Sequence, residues 1–310
     1  MKLGVVIVTY NRLELLKECI SACINQKQKF EKIFVINNAS TDGTKEYLEE
    51  LKVENLEIIN SKENLGGAGG FYLGIEKSMQ YPLDYLLLID DDAILDYNYN
   101  KEIIKFMKKN EGDICAYSGT VKTNNIIQTE HRRHLNKGFK CIDSNLSEYN
   151  LDYFDYDLST FCGIYISMEI IRKIGLPCKE FFIWFDDTEY SLRIRKYGRI
   201  RNVNKAYLNH KTKIFNSKGY NWKSYYGLRN QIVIIRKYFS KFTLIKFTTL
   251  MCFYIIAGKI MRILKNDEYY NKVSEIYKDS LLDGINDNMG KNDKYIPGVE
   301  FKKRREWLWK

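Results

Sequence analysis

The chain has 310 residues, and 45% of them are hydrophobic, which supports a globular core and excludes a disordered chain. Its net charge of +10 is uneven: residues 211–310 carry 21 Lys/Arg and 9 Asp/Glu, whereas residues 1–210 carry 28 and 30. This basic third predicts an anionic partner surface, and a membrane is favoured over nucleic acid because no nucleic-acid-binding module is recognised.

The seven cysteines form no CxxC pair, so reduced thiols in a cytosolic protein are expected. No signal-peptide pattern precedes the first predicted strand. The longest charge-free run in the basic third covers residues 247–258, which is short for a bilayer span. We therefore expect no clear membrane-spanning helix and predict a cytoplasmic protein, with contact at the inner face of the cell membrane left open.

Short apolar runs alternate with helical patterns in the first 100 residues, which predicts an α/β fold with a mostly parallel central sheet flanked by helices. The predicted strands are 3–9, 33–36, 56–59 and 85–89, followed by strands near 115–119, 163–167 and 200–207. The predicted helices are about 13–23, 44–51, 71–79, 169–176 and 186–197. We divide the chain into an α/β domain at 1–215 and a mainly helical, basic region at 216–310.

An acidic triplet ends the strand at 85–89. Asp90, Asp91 and Asp92 follow a run of Leu and Ile, at the sheet edge where α/β proteins bind ligands. Adjacent carboxylates repel one another, and a hard divalent cation relieves that repulsion. The triplet thus indicates either a metal site or a solvated acidic turn. If the segment stays extended, Asp91 points away from its two neighbours and supports the loop.

Polar side chains also follow the first two strands. Thr9, Tyr10 and Arg12 end the first strand and Asn37 ends the second, where backbone groups and amides can bind a nucleobase. We interpret residues 40–42 as turn and helix-cap residues. The glycine-rich run at 66–70 is predicted to precede a helix, either to approach a diphosphate or to allow close helix–strand packing.

A second acidic group, Asp186-Asp187-Thr188-Glu189, follows a run of aromatic residues. Asp186 and Glu189 fit a helix capping box, which leaves Asp187 without a structural role. A carboxylate beside an aromatic wall can have a raised pKa and act as a general base. His210, at a predicted strand end, is a candidate metal or phosphate ligand. We interpret residues 131–134 (HRRH) as a solvated or substrate-facing surface.

Five motifs, in order over about residues 3–212, resemble the inverting glycosyltransferases of family 2, which have the GT-A fold. They are VIVTYNR at 6–12, NASTDGT at 38–44, NLGGAGG at 64–70, DDD at 90–92 and WFDDTEY at 184–190. The third and fifth motifs, with YYGLRN at 225–230 and the DG pair at 283–284, are most similar to the galactofuranosyl- and rhamnosyltransferase branch. The resemblance implies a Rossmann-like GT-A domain with a C-terminal helical extension.

The resemblance also implies roles for individual residues. Asp187 would be the catalytic base, and Asp90, Asp92 and His210 would bind Mn²⁺ or Mg²⁺. The donor-binding residues would be Thr9, Tyr10, Arg12, Asn37, Asn64, Gly66, Gly67 and Asp91. The acceptor-side residues would be Trp184, Asp186 and Glu189. The family usually has Asp at the position of Asn37, whose amide oxygen can accept the same hydrogen bond from a base without a charge.

The implied activity is the transfer of a hexose, galactofuranose or rhamnose, from a UDP- or dTDP-sugar to a hydroxyl of a glycan or lipid-linked glycan. Two alternatives stay open: a sugar-nucleotide-binding protein without catalysis, and a nucleotidyltransferase. A homo-oligomer is also left open. Residues 243–264 and the basic, Trp-containing segment 302–309 fit either a membrane-surface contact or packing on the catalytic domain.

Overall fold

We describe residues 1–109, 112–211 and 219–298 of the protein from a computed structural model. The described chain forms two units. The first contains residues 1–136, 140–179 and 186–211, and the second contains residues 137–139, 180–185 and 219–298. The predicted division after residue 215 and the basic segment 302–309 lie outside the described residues.

The first unit is built on a mixed sheet in which strands β4, β1, β2 and β3 run parallel. The main strand order is β10-β13-β6-β12-β4-β1-β2-β3, and β8, β9 and β11 form a small separate sheet. The strands are β1 (Leu3–Thr9), β2 (Lys32–Asn37), β3 (Leu56–Asn60), β4 (Tyr85–Asp90), β5 (Ala93–Leu95), β6 (Ile114–Thr123), β7 (Ile126–Ile127), β8 (Arg132–Asn136), β9 (Lys140–Asp143), β10 (Tyr153–Tyr156), β11 (Leu158–Ser159), β12 (Ile164–Ser167) and β13 (Arg199–His210).

Helices cover the apolar faces of this sheet. The helices of the first unit are α1 (Leu13–Ile24), α2 (Thr44–Glu50), α3 (Gly66–Ser78), α4 (Tyr99–Met107), α5 (Met168–Ile174) and α6 (Asp186–Ile194). Apolar side chains of β1 alternate between two cores: Val5 and Ile7 pack with α1, whereas Val6 and Val8 pack with α3. Such two-sided burial explains why the strands read as continuous apolar runs.

Strand register brings the polar strand ends to one edge of the sheet. Thr9 pairs with Asn37, and Val8 pairs with Asp90, so β1, β2 and β4 end side by side. β13 reaches the same edge, because its last residue, His210, pairs with Ala93 of β5, just after the acidic triplet.

A register shift interrupts β13 before it reaches this edge. Val203 pairs with Gly119 and Tyr207 with Thr120, so residues 204–206 have no counterpart on β6. Within this bulge, Asn204 Nδ2 donates to the carbonyl oxygens of Glu148 and Leu151, each at 2.8 Å. The bulge is therefore fixed by hydrogen bonds rather than loose.

The glycine run does not precede a helix, as the sequence suggested, but forms the first turns of α3. A Cβ atom on Gly70 would lie 2.4 Å from Val8 Cγ1, and one on Gly74 would lie 2.2 Å from Val6 Cγ1. Gly70 and Gly74 thus allow α3 to pack closely on β1. Close helix–strand packing is one of the two roles predicted for the glycine run. Gly67 differs, because no heavy atom lies within 4 Å of its Cβ position.

The second unit contains helices α7 (Trp222–Tyr238), α8 (Lys241–Lys265) and α9 (Glu268–Ile285). Met251 and Gly258 of α8 are buried, and Ser274 of α9 donates to the Ile255 carbonyl at 2.8 Å. Among the described residues, α8 is long and apolar enough to cross a membrane by length and composition alone. The sequence predicted no clear membrane-spanning helix, because its longest charge-free run is short. α8 meets the test of length and composition because the helix continues past Lys246 and Lys259, at the two ends of that run.

Replacing Gly74 tests the contact between α3 and β1. We expect Gly74→Ala to lower the free energy of unfolding by about 1–3 kcal/mol, because the added methyl overlaps Val6 and forces the helix outward. Urea unfolding measures the change. Gly67→Ala is the matched control in the same helix and should leave stability unchanged or slightly higher. Equal stability of both variants would contradict the close packing.

Candidate active site

The carboxylates that follow β4 face two cationic side chains. Asp91 and Asp92 are each 3% exposed. Arg12 Nη1 donates to Asp91 Oδ1 at 3.2 Å and to Asp92 Oδ2 at 2.7 Å. His210 Nε2 lies 3.2 Å from Asp92 Oδ1. With Asp90, this group has more acidic than basic side chains, so it favours an added cation.

The surroundings separate the pKa values of the three acids. Burial and the neighbouring Asp92 raise the pKa of Asp90 to about 7. Burial raises the pKa of Asp91 to about 6, although Arg12 opposes this. Burial acts in the same direction on Asp92, but His210 and Arg12 outweigh it and lower the pKa of Asp92. Asp92 is therefore the most firmly charged member of the triplet.

Asp91 does not point away from its neighbours, because the segment does not stay extended. β4 ends at Asp90, and Asp91 and Asp92 form a turn. The Thr9 hydroxyl donates to Asp91 Oδ2 at 2.7 Å. Asp91 is thus anchored to the end of β1, and the roles of Thr9 and Asp91 in donor binding stay predictions.

The amides expected to face the donor are used within the protein. Asn37 is buried, and its Nδ2 donates to Asn60 Oδ1 at 2.8 Å. Its Oδ1 accepts the Ser40 backbone N–H at 3.0 Å. Asn64 Oδ1 accepts the backbone N–H of Gly66, the first residue of α3, at 2.8 Å. Both amides fix loops at this edge, and their contact with a nucleotide stays a prediction.

The residues interpreted as turn and cap residues have that role. Asp42 Oδ2 accepts the N–H of Leu13 at the start of α1, at 2.9 Å. Its Oδ1 accepts the N–H of Thr44 at the start of α2, at 3.3 Å. Tyr10, which follows the last residue of β1, is exposed. Gly67, in the first turn of α3, has no heavy atom within 4 Å of its Cβ position.

A cluster of three ligand-type side chains lies beside Asp92, and sequence patterns predicted only one of its members, His210, as a ligand. One nitrogen each of His131 and His210 and the Cys162 sulfur lie within 4.8 Å of one another. The two imidazole rings meet edge to face, with centroids 5.0 Å apart. Burial and Arg132 lower the pKa of His131 well below its usual value, so this imidazole is neutral.

The interpretation of residues 131–134 as a solvated or substrate-facing surface was wrong for Arg132. Arg132 is 0% exposed, and it donates to the carbonyl oxygens of His131 at 2.9 Å and Cys162 at 3.0 Å. His131 Nδ1 lies 2.8 Å from Thr160 Oγ1. A polar segment that packs inward looks like a surface loop in the sequence. The backbone carbonyls that it binds lie elsewhere in the chain and leave no sequence pattern.

Two adjacent carboxyl groups begin α6 and differ in their surroundings. Burial and the neighbouring Asp187 raise the pKa of Asp186 well above its usual value. Burial also raises the pKa of Asp187, but Arg133 and hydrogen bonds from Thr188 oppose the change. The Thr188 hydroxyl donates to Asp187 Oδ1 at 3.0 Å. A partly buried carboxylate with a raised pKa is suited to accept a proton, so Asp187 is the better candidate base.

Glu189 and Trp184 have structural contacts of their own. Glu189 is buried and pairs with Arg193 at 2.9 Å, which anchors α6. Trp184 belongs to the second unit, is 42% exposed, and its carbonyl accepts from Asn230 Nδ2 at 2.8 Å. Trp184 and Phe185 have φ angles of +65° and +68°, a strained conformation for bulky residues. The acceptor-side roles of Glu189 and Trp184 stay predictions.

The acidic cluster fits the divalent cation that the resemblance implies. Asp92 Oδ1 is buried and has no hydrogen-bond partner among the described residues, although His210 lies near it. His210 forms an ion pair with this oxygen but not a hydrogen bond, and a buried carboxylate oxygen that accepts no hydrogen bond favours an added cation. Asp90, Asp92 and His210 would hold the ion, and carboxylate and imidazole ligands suit Mn²⁺ or Mg²⁺.

Removing one carboxylate should stabilise the metal-free protein in a pH-dependent way. The pKa of Asp90, about 7, lies above its value in an unfolded chain, about 3.9. The native state therefore binds more protons between these values, and its stability falls as pH rises. We expect Asp90→Asn to raise the free energy of unfolding at pH 8 by about 1–3 kcal/mol, and to change it little at pH 4.

Urea unfolding in EDTA at both pH values measures this change. Asp113→Asn is the control, because the pKa of Asp113 is shifted in the opposite direction: an ion pair with Arg199 lowers it. Removal of this carboxylate should therefore not stabilise the protein at pH 8. A gain for Asp90→Asn that is the same at pH 4 and pH 8 would contradict the raised pKa.

Comparison with known proteins agrees with this geometry. Residues 4–175 match the family model of Glycosyl transferase family 2. The galactofuranosyltransferase GlfT1 of Mycolicibacterium smegmatis is 34% identical over 88 residues, covering 28% of this chain and 29% of that protein. A poly(ribitol-phosphate) beta-glucosyltransferase of Bacillus spizizenii is 31% identical over 122 residues, covering 37% and 18%. The matched segments thus span less than a third of these two relatives.

Solved structures show the same fold at low sequence identity. GalNAc-T7 with UDP, GalNAc and Mn²⁺ superposes with a TM-score of 0.63 at 17% identity, covering 76% of this chain and 48% of that one. The mannosyltransferase PcManGT of Pyrobaculum calidifontis, in complex with GDP-Man and Mn²⁺, gives 0.55 at 12% identity, covering 92% and 87%. The predicted family and fold are therefore confirmed: the chain belongs to glycosyl transferase family 2 and has the GT-A fold.

Proposed function

We propose that this protein is an inverting, metal-dependent hexosyltransferase that acts in cell-surface polysaccharide synthesis. It would move galactofuranose or rhamnose from a UDP- or dTDP-sugar to a hydroxyl of a glycan or lipid-linked glycan. The observation that carries this proposal is the meeting of Arg12, the acidic triplet and His210 at the carboxyl edge of the sheet. The similarity to a galactofuranosyltransferase supports the choice of galactofuranose.

The donor side of the reaction uses residues at the ends of β1, β4 and β13. Asp90, Asp92 and His210 would hold a divalent cation, which would neutralise negative charge on the departing nucleoside diphosphate. Arg12, about half exposed and hydrogen-bonded to Asp92, adds a fixed positive charge beside the same position. The first turn of α3, where Gly67 has no close neighbour at its Cβ position, would present backbone N–H groups to the diphosphate of the donor.

The acceptor side uses Asp187 as the base. Its carboxylate takes the proton of the acceptor hydroxyl while that oxygen forms a bond to the anomeric carbon. The bond between this carbon and the diphosphate oxygen breaks on the opposite face, through an oxocarbenium-like transition state, so the configuration inverts. Thr188 fixes the orientation of Asp187 through Oδ1, which leaves Oδ2 to accept the proton.

Donor binding should depend on the cation and on Asp92. We expect UDP- or dTDP-sugars to bind about tenfold or more tightly with Mn²⁺ than with EDTA, and Asp92→Asn to abolish that difference. Titration calorimetry with UDP-, dTDP- and GDP-sugars measures both effects and identifies the base. Asp113→Asn, a surface substitution in the same unit, should behave as wild type. Equal affinities with and without Mn²⁺ would contradict the metal site.

Substitution of Asp187 separates an enzyme from a binding protein. We expect Asp187→Asn to reduce kcat for sugar transfer by about 10²–10⁴-fold and to leave donor affinity unchanged, because the amide cannot accept the proton. Release of nucleoside diphosphate and of glycosylated acceptor measures turnover. Near-normal turnover would exclude Asp187 as the base. Donor binding without transfer by wild type, or release of pyrophosphate from a nucleoside triphosphate, would favour one of the alternatives.

The localisation proposed here is the cytoplasmic face of the membrane, with α8 as the contact. Two sides of α8 are apolar: one side packs with α9 through Met251 and Ile255, and the other is exposed. The exposed stripe has a helical spacing and consists of Phe242, Ile245, Phe253, Ile256, Ile260 and Ile263. α8 contains Lys and Arg but no acidic residue. An apolar stripe on a purely basic helix suits an anionic lipid surface.

Vesicle co-sedimentation tests this contact. We expect wild type to bind vesicles that contain phosphatidylglycerol, and to bind less as salt is raised or when phosphatidylcholine replaces the anionic lipid. Substituting Phe253, Ile256 and Ile260 together with Ser should weaken binding about tenfold or more. Ile285→Ser, which replaces an exposed apolar residue of α9, is the control. Unchanged vesicle binding by the triple variant would exclude this stripe.

A further inference from the structure

We propose that His131, Cys162 and His210 form a Zn²⁺ site that shares His210 with the proposed donor cation site, and that zinc bound there blocks the donor site. The regulatory half of this proposal rests on the proposed function, because it assumes that His210 also serves the donor cation. The binding half stands on the ligand set alone.

The spacing of the three side chains suits a small tetrahedral ion. Zinc–nitrogen bonds of about 2.0–2.1 Å and zinc–sulfur bonds of about 2.3 Å place neighbouring ligand atoms about 3.3–3.8 Å apart. The ligand atoms of His131, Cys162 and His210 all lie within 4.8 Å of one another. Shifts of about an ångström in side-chain position would complete the site.

The backbone and side chains around the cluster already hold the ligands. Thr160 Oγ1 lies 2.8 Å from His131 Nδ1, which leaves Nε2 of that ring for an ion. Arg132 donates to the backbone carbonyls of both His131 and Cys162. Such supporting contacts are typical of metal sites, where they orient the ligands. Cys162 is buried, whereas the two histidines are partly exposed, so an ion can enter past the imidazoles.

The chemistry of the ligands differs from that of the donor cation site. Thiolate and imidazole favour zinc, whereas carboxylates and water favour Mg²⁺ and Mn²⁺. Asp92 Oδ1 lies 3.2 Å from His210 Nε2 but does not belong to the three-residue cluster, so the cluster leaves the fourth position of a tetrahedral zinc ion to water.

A shared ligand makes the two sites exclusive. If zinc takes His210, the donor cation loses one of the three residues proposed to hold it. Zinc at a concentration that fills the softer site would therefore weaken Mn²⁺-supported donor binding, even when Mn²⁺ is in large excess.

Metal binding by the purified full chain tests the site without any sugar substrate. We expect equilibrium dialysis with zinc alone to give one tightly bound ion per chain, and Co²⁺ to give a near-ultraviolet thiolate-to-cobalt charge-transfer band. Cys162→Ser should abolish the band, and Cys162→Ser and His131→Gln should each weaken zinc binding about tenfold or more. Cys115→Ser, a buried cysteine elsewhere in the sheet, should match wild type.

Three results would overturn the binding half: no tight zinc, no charge-transfer band in wild type, or unchanged affinity in both variants. If Cys162→Ser unfolds the protein because Cys162 is buried, His131→Gln still tests the site, since His131 is partly exposed. For the regulatory half, zinc should raise the donor Kd measured with Mn²⁺ in wild type but not in Cys162→Ser. Absence of donor binding with Mn²⁺ alone would instead count against the proposed function.

Discussion

The concentration of negative charge at the end of β4 is the constraint on which the rest of the site depends. Three consecutive carboxylates leave a buried strand, and burial disfavours their charged forms. Arg12 from the end of β1 and His210 from the end of β13 face them, but two cations do not balance three acids. The polar edge of this sheet therefore favours an added cation, such as the one proposed to accompany the nucleotide donor.

Cations of two chemical types can compete for this edge. The acidic triplet offers hard oxygen ligands, whereas His131 and Cys162 offer nitrogen and sulfur. His210, the last residue of β13, lies close to both ligand groups. Because both proposed sites use this one imidazole, donor binding would depend on the concentration of free zinc.

The sequence predicted those parts of the fold that depend on local patterns. Strands β1, β2 and β4 are apolar runs that end in polar residues, and Asp187 lies in a recognisable acidic motif. The sequence did not predict that His131 meets His210, because 78 residues separate them and no spacing rule joins them. Nor did it show that the glycine run lies inside α3, since close contact with β1 overrides the low helix propensity of glycine.

The bulge in β13 has a consequence for how this chain can diverge. Residues 204–206 have no counterpart on β6, whereas the residues after them pair with both β6 and β5. A change in the length of the bulge can therefore be absorbed where the strand is unpaired, without turning His210 away from Asp92. The bulge thus lets the two halves of β13 vary independently, and the half that carries the imidazole keeps its register through its own partners.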